Sequence, residues 1–426
     1  MAQTKTSELE DGLEGAPGEA VAGLSRRQVL NGLTIAGATA LTPNLANAAP
    51  VPPAPVKSWL IGDGAAPFEI PLDYLGLHSD HGVSHKAPPP TYPYDAIRSH
   101  DVDNGNEETA TQWADIEVKP GVYDWRLTDI WFATHANKTR IWVLFGCPKF
   151  YQKYPNEPFS YPTLLGGASP PRDPQTAANF LTALFKRYPG KIDFLEIWNE
   201  PNFGAGTDPF KDRWLPTMSQ PGWFTGTANE LAVLARVVKK VLPPEVKLMA
   251  AGWAWQAQAD QLNPENAVLR FANAPDGAGG FGRDHVQALS VHLYTYHNDP
   301  NARIEEIASY ERLFDQCGYA KTLPRYATEA GAWYPGVFKQ DSPPMADKVR
   351  DVKRWCMIPA ASRYRGVYLY KHSDMVPLGD PAHNPEIGAA IGEMRNGLRG
   401  KTLVRAAVLN DDTIWFAFAD GTELRA

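Results

Sequence analysis

Apolar and polar positions alternate along this chain in blocks. From about residue 72 onward, short apolar runs are separated by longer amphipathic or loop segments, the pattern of βα units on a parallel sheet. There are eight runs: Asp73–Leu77, Tyr94–Arg98, Arg140–Phe145, Ile192–Trp198, Val246–Ala251, Ala288–Leu293, Arg325–Thr328 and Gly366–Tyr370. After the third, Pro174 leads into Ala177, Phe180, Leu181, Leu184 and Phe185, the spacing of one helix face, with proline where a missing N–H costs nothing. Residues 228–241 repeat that pattern with Leu231, Leu234, Val237, Val238 and Val241. Eight strands with crossover helices predict a (β/α)8 TIM barrel over 72–400. An open doubly wound sheet is the alternative, but no Gly-rich phosphate loop follows the first strand.

The ends read differently. Leu403–Leu409, Asp411-Asp412, Thr413–Ala419 and Asp420-Gly421 alternate strand with turn, which predicts a small β appendage over 401–426. Residues 49–71, rich in Pro and Ala, read as an extended arm or the first piece of that appendage. Ahead of them, Ser25-Arg26-Arg27-Gln28-Val29-Leu30, the mildly apolar run Leu33 to Leu41 and Ala46-Asn47-Ala48 resemble a twin-arginine export signal over residues 1–48. The expected location is therefore periplasmic or extracellular, with no membrane association after cleavage. A disordered leader before a cytoplasmic enzyme is the alternative.

Composition narrows the partners. Removing the three basic and five acidic side chains of residues 1–48 from totals of 41 and 48 leaves a net charge of −5. Nucleic acid is an unsuitable ligand, since phosphate neutralisation needs clustered Lys and Arg. The three cysteines, Cys147, Cys317 and Cys356, are too few and scattered for a disulfide framework or a zinc site, and read as buried thiols, with a Cys317–Cys356 pair in an oxidising compartment as the alternative. The 13 tryptophans supply large flat surfaces, and many aromatic or hydrogen-bonding residues fall at strand ends. His78, His100, Lys149, Trp223, Trp253, Trp255, Trp333, Lys371 and His372 are among them, with long loops at 78–93, 99–125, 147–173, 201–227 and 330–347. Aromatic faces and polar heads at one rim suit a sugar.

The most informative stretch is Phe194-Leu195-Glu196-Ile197-Trp198-Asn199-Glu200-Pro201-Asn202. Its apolar run stops at an amide, a carboxylate and a proline that cannot continue a central strand. Barrel enzymes carry their chemistry at strand C-termini. Three strands later Arg325-Tyr326-Ala327-Thr328-Glu329 ends in a second carboxylate. Two carboxylates flanking one bond are what glycosidic cleavage needs: one protonates the leaving oxygen, the other attacks the anomeric carbon or activates water. Helix capping or pairing with arginine is the ordinary use of a lone Glu. Glu196 reads as a barrel-interior or helix-facing carboxylate paired with a base, and Glu117 as a structural hydrogen-bonding residue. His78, His81 and His85 lack the spacing of a metal site and read as sugar-hydroxyl contacts or loop polarity.

Five stretches in order resemble the clan A glycoside hydrolases, family 39 most closely, over nearly all of 49–426. They are Trp113-Ala114-Asp115-Ile116-Glu117 with Gly121-Val122-Tyr123-Asp124-Trp125, Gly146-Cys147-Pro148-Lys149-Phe150, Trp198-Asn199-Glu200-Pro201-Asn202, His292-Leu293-Tyr294 and Thr328-Glu329. The resemblance implies that Glu200 is the acid/base and Glu329 the nucleophile of a retaining double displacement, with no metal or organic cofactor. It implies that Asn199 binds the sugar 2-hydroxyl, that His292 and Tyr294 orient the nucleophile, and that Arg98 keeps Glu329 ionised. The chain departs from the family at the eighth strand, where many clan A members carry a tryptophan and this sequence has Tyr370-Lys371-His372. Lys371 and His372 there, together with Lys149 after the third strand, predict a cationic pocket for a carboxylate-bearing sugar. The expected partner is a polysaccharide or oligosaccharide, cut internally by a monomeric enzyme. An exo-acting β-xylosidase or uronidase, a non-catalytic sugar-binding barrel and a structural partner in an export or biofilm assembly are the rivals.

Overall fold

The computed structural model describes residues 57–58, 66–78, 93–100, 111–155, 166–202, 223–256, 264–296, 300–333, 344–370, 385–409 and 411–426. The export-signal segment 1–48, most of the rim loops, and Lys371 and His372 lie outside the described residues, as do the side chains of Trp255 and Trp333. Residues 49–426 form one compact unit.

The barrel strands are parallel and follow the apolar runs: Leu75–His78, Ala96–Arg98, Thr139–Leu144, Phe194–Ile197, Lys247–Met249 with Trp253–Gln256, Leu289–Tyr296, Arg325–Trp333 and Gly366–Tyr370. The fifth strand is split. Its first half pairs with the fourth strand and its second half with the sixth, so the two halves end opposite sides of the pairing order. Single bridges Asn199–Gly252 and Met249–Ala288 tie each half to the other neighbour, and the sheet closes through this strand. Amphipathic helices cover the outside. Gln175–Arg187 starts after Pro174, and Ala228–Lys239 starts at a capping box in which Glu230 N donates to Thr227 Oγ1 (3.1 Å) and Thr227 N to Glu230 Oε2 (2.7 Å). The segment 99–125, read from sequence as a loop, contains a one-turn helix, Trp113–Ile116, and a hairpin, Glu117–Lys119 with Val122–Tyr123.

Inside the barrel the lower layer is apolar: Ala96, Ile141, Phe194, Met249, Ala288 and Tyr368 form their own cluster with Tyr326 against it. Two residues further along the second and fourth strands are Arg98 and Glu196, so the filling turns polar toward the C-terminal ends. The appendage is a separate antiparallel sheet of Thr402–Val408, Ile414–Phe418 and Glu423–Arg425. Lys57–Ser58 and Phe68–Glu69 both pair with its first strand, so the N-terminal arm belongs to this sheet. No helix among the described residues is long and apolar enough to cross a membrane.

Candidate active site

Strand alternation alone would turn Trp198 inward after Phe194 and Glu196. Instead Trp198 (φ 68°) and Glu200 (φ 40°) adopt left-handed backbone, which breaks the parity. Trp198 turns outward against Phe145 and Phe224 and donates from Nε1 to Trp223 O (2.6 Å). Asn199 and Glu200 are thereby delivered together at the strand end. The seventh strand solves the same problem with a bulge. Val291 and His292 pair with Ala327 and Glu329, skipping Thr328, so Thr328 and Glu329 both reach the interior.

Arg98, fully buried, stands at the centre. Its Nη1 donates to Glu329 Oε1, its Nη2 to Asn199 Oδ1 and its Nε to Glu196 Oε2, each at 2.7 Å. Tyr294 OH donates to Glu329 Oε2 (2.6 Å). His292 Nδ1 lies 2.6 Å from Glu200 Oε1 and 3.3 Å from Glu329 Oε2, so one ring nitrogen faces both carboxylates. One oxygen of Glu200 and one of Glu329 lie within 4.8 Å of each other. Glu200 is 9% exposed and Glu329 5%, which leaves both in reach of a bound molecule.

The electrostatics follow from burial set against charge. Burial opposes ionisation of Glu329, yet His292, His78 and Arg98 outweigh it and hold its carboxyl well below the usual range. Burial pushes both imidazoles down, and Glu329 opposes that shift. Burial also opposes the charge on Arg98, but Glu196 and Glu329 more than restore it. The Tyr294 phenol is driven far up by burial and by Glu329, so it remains a donor throughout the ordinary pH range.

Several expectations need correction. His78 is fully buried: its Nε2 donates to His100 O (2.5 Å), and its Nδ1 lies 3.3 Å from Glu329 Oε1. It lines the carboxylate and has no face for a sugar hydroxyl. Trp253 is likewise fully buried, packed on Phe271 of the helix Pro264–Asn273, and it serves the barrel wall as a core residue. His292 was expected to orient Glu329 but approaches Glu200 more closely. Lys149 is exposed beside Phe150, in the turn after the third strand. Glu196 is barrel-interior and paired with a base as read. Glu117 accepts from Trp113 Nε1 (2.6 Å), Gly121 N (2.7 Å) and Tyr151 OH (3.0 Å), a structural role.

Sequence reasoning missed Ser290, whose hydroxyl donates to Glu196 Oε1 (3.0 Å), and Thr328, which donates to the same oxygen (3.2 Å). Ser290 was within reach, since it shares strand parity with His292 and Tyr294. Asn202 was read only as part of a motif. It clamps the fifth strand by accepting from Ala254 N (3.0 Å) and donating to Ala254 O (2.7 Å).

The chain is similar in structure to a family 39 glycoside hydrolase from the gut symbiont Bacteroides cellulosilyticus WH2, with TM-score 0.50 and 17% identity over 83% of this chain and 69% of that one. It is also similar to the family 39 glycoside hydrolase from Xanthomonas axonopodis pv. citri, with TM-score 0.51 and 16% identity over 82% and 73%. The chain has the fold of these glycoside hydrolases. No protein-family model and no curated protein matches it. In this glycoside-hydrolase fold, His78, His100 and Glu329, and separately Glu200, His292 and Glu329, bring three donor atoms within 4.8 Å. A metal ion there would have to compete with the Arg98 guanidinium already bound to Glu329 Oε1.

Proposed function

We propose that this chain is a retaining glycoside hydrolase in which Glu200 is the acid/base and Glu329 the nucleophile. The observation that carries the reading is the pair of carboxylates, Glu200 just beyond the fourth strand and Glu329 at the bulge midway along the seventh, with one oxygen of each within 4.8 Å of the other. Retaining enzymes hold their carboxyl groups ~5–5.5 Å apart, whereas inverting ones leave ~6.5–9.5 Å for a water. In the first step Glu200 gives its proton to the departing glycosidic oxygen while Glu329 attacks the anomeric carbon. In the second, Glu200 takes a proton from water, which displaces Glu329. Arg98 occupies the Asn199 oxygen, so the Asn199 amide NH2 is the group left to meet the sugar 2-hydroxyl. Tyr294 and Arg98 each take one oxygen of Glu329 and keep it an anion until it attacks. These groups are prepared before substrate arrives, which is how such sites stabilise developing charge.

The substrate we propose is a polysaccharide cut internally, because the rim segments are long enough for an open groove. Ser25-Arg26-Arg27 and the apolar run after it support export by the twin-arginine route. The test is product analysis of residues 49–426 on acidic and neutral polysaccharides and on aryl glycosides, with Glu329→Gln as control. Mixed-length fragments that vanish in the variant support the reading. Single sugars alone would make it an exo-enzyme, and binding without products in both proteins would make it a sugar-binding barrel.

A further inference from the structure

Glu196 is a third buried carboxylate in the barrel, and the two-carboxylate mechanism gives it no task. Burying a charged group is costly unless it is paired and hydrogen-bonded, so its place in the barrel interior needs a reason. Its contacts supply one. Oε2 takes the single N–H of Arg98 Nε (2.7 Å), and Oε1 accepts from the Thr328 hydroxyl (3.2 Å) and lies 3.0 Å from the Ser290 hydroxyl, whose one proton is shared with Ala250 O. A guanidinium is a rigid planar fork, so fixing the Nε–H direction fixes where both Nη groups point. The two Nη groups point at Glu329 and Asn199. Without an Nε anchor, the plane could turn about its last side-chain bonds and give up one of these contacts.

We infer that Glu196 is a positioning residue, which orients Arg98 so that one guanidinium serves the nucleophile Glu329 and the sugar-binding amide Asn199 together. The hydroxyls of Ser290 on the sixth strand and Thr328 at the bulge hold Glu196 in turn, so four strands converge on one arginine. Among the described residues, the groups facing Glu329 are Arg98, His78, His100, His292, Tyr294 and, across the cleft, Glu200.

Two substitutions separate geometry from charge. Glu196→Asp keeps the charge but withdraws the carboxylate by about one methylene; Glu196→Gln keeps an oxygen for Nε and removes the charge. The readouts are the titration of the Glu329 carboxyl by carbon NMR, with no substrate present, and the kinetics on whichever glycoside the wild type cleaves. Only the kinetic arm rests on the glycosidase reading. In Glu196→Asp, Arg98 follows the shortened carboxylate, so Glu329 titrates higher than in wild type. There kcat falls by about 10- to 100-fold with KM little changed, the cost of a displacement on the order of 1 Å. In Glu196→Gln the unshared Arg98 charge moves the Glu329 titration lower. A folded Glu196→Asp protein with wild-type titration and kcat overturns the inference; if that variant does not fold, an unshifted Glu329 in Glu196→Gln does so. A wild type that cleaves no glycoside defeats the glycosidase reading, while the titration order Gln below wild type below Asp still supports the role of Glu196.

Discussion

Trp198 and Glu200 hold left-handed backbone that costs an L-residue roughly 1–2 kcal/mol each. The surroundings offset this: the Trp198 indole donates to Trp223 O, and Glu200 N donates to Gly252 O (3.0 Å). Strain kept at the proposed acid/base marks a site held for geometry over stability. Tyr294 tests the electrostatics at this scale. A hydrogen bond to a charged partner is worth about 1.5–3 kcal/mol, so Tyr294→Phe is expected to lower kcat by roughly 10- to 100-fold. Glu329 also loses a donor, so the acidic limb of the pH–rate profile moves up. The sign for stability follows the same shift. With a folded pKa below its unfolded value, Glu329 contributes stability above the unfolded carboxylate range, lost as pH falls through the lower folded value. The variant narrows that window from below, and melting curves against pH check it.

At the scale of elements, the split fifth strand depends on Gly252. A Cβ there would lie 2.2 Å from His292 Nε2 and 2.5 Å from Glu196 Oε1. Gly252→Ala is expected to cost about 1–3 kcal/mol by overpacking and to displace His292, so kcat and thermal stability fall together. Behind the sixth strand, Glu306 on the helix Pro300–Gln316 accepts from Tyr294 N (3.1 Å), and burial pushes its carboxyl up to about 8. An acid protonated in the fold but ionised when unfolded makes the folded state bind more protons, so stability drops as pH rises from about 4.5 to about 8. Glu306→Gln keeps the acceptor and should remove that drop; an unchanged pH dependence of melting contradicts it. Elements were the legible scale in the sequence, because buried parallel strands are short apolar runs and all eight were visible. The bulge at Thr328 and the parity break at Trp198 were not, since each depends on neighbouring strands and leaves no mark in local periodicity. For the same reason the sequence marks Glu329 as an acid at a strand end, whereas the seventh strand runs on to Trp333, and the burial of His78 and Trp253 was not legible.

For the whole molecule, the terminal sheet is more than an ornament. Ile414, Phe416 and Phe418 belong to the same apolar core as the barrel helices, and Arg354 Nη2 donates to Asp412 O (2.7 Å). Deleting 401–426 would strip that core and unpair both strands of the N-terminal arm, so the truncated chain is expected to lose cooperative melting and soluble yield. A truncated chain that melts like the parent would show the sheet to be dispensable. The proposed chemistry has Glu200 and Glu329 cleave a glycosidic bond by two displacements. The measurement that tests it most directly is the anomeric configuration of the first-formed product, followed by proton NMR before mutarotation. Retention is the predicted result. An inverted product would contradict double displacement by Glu329.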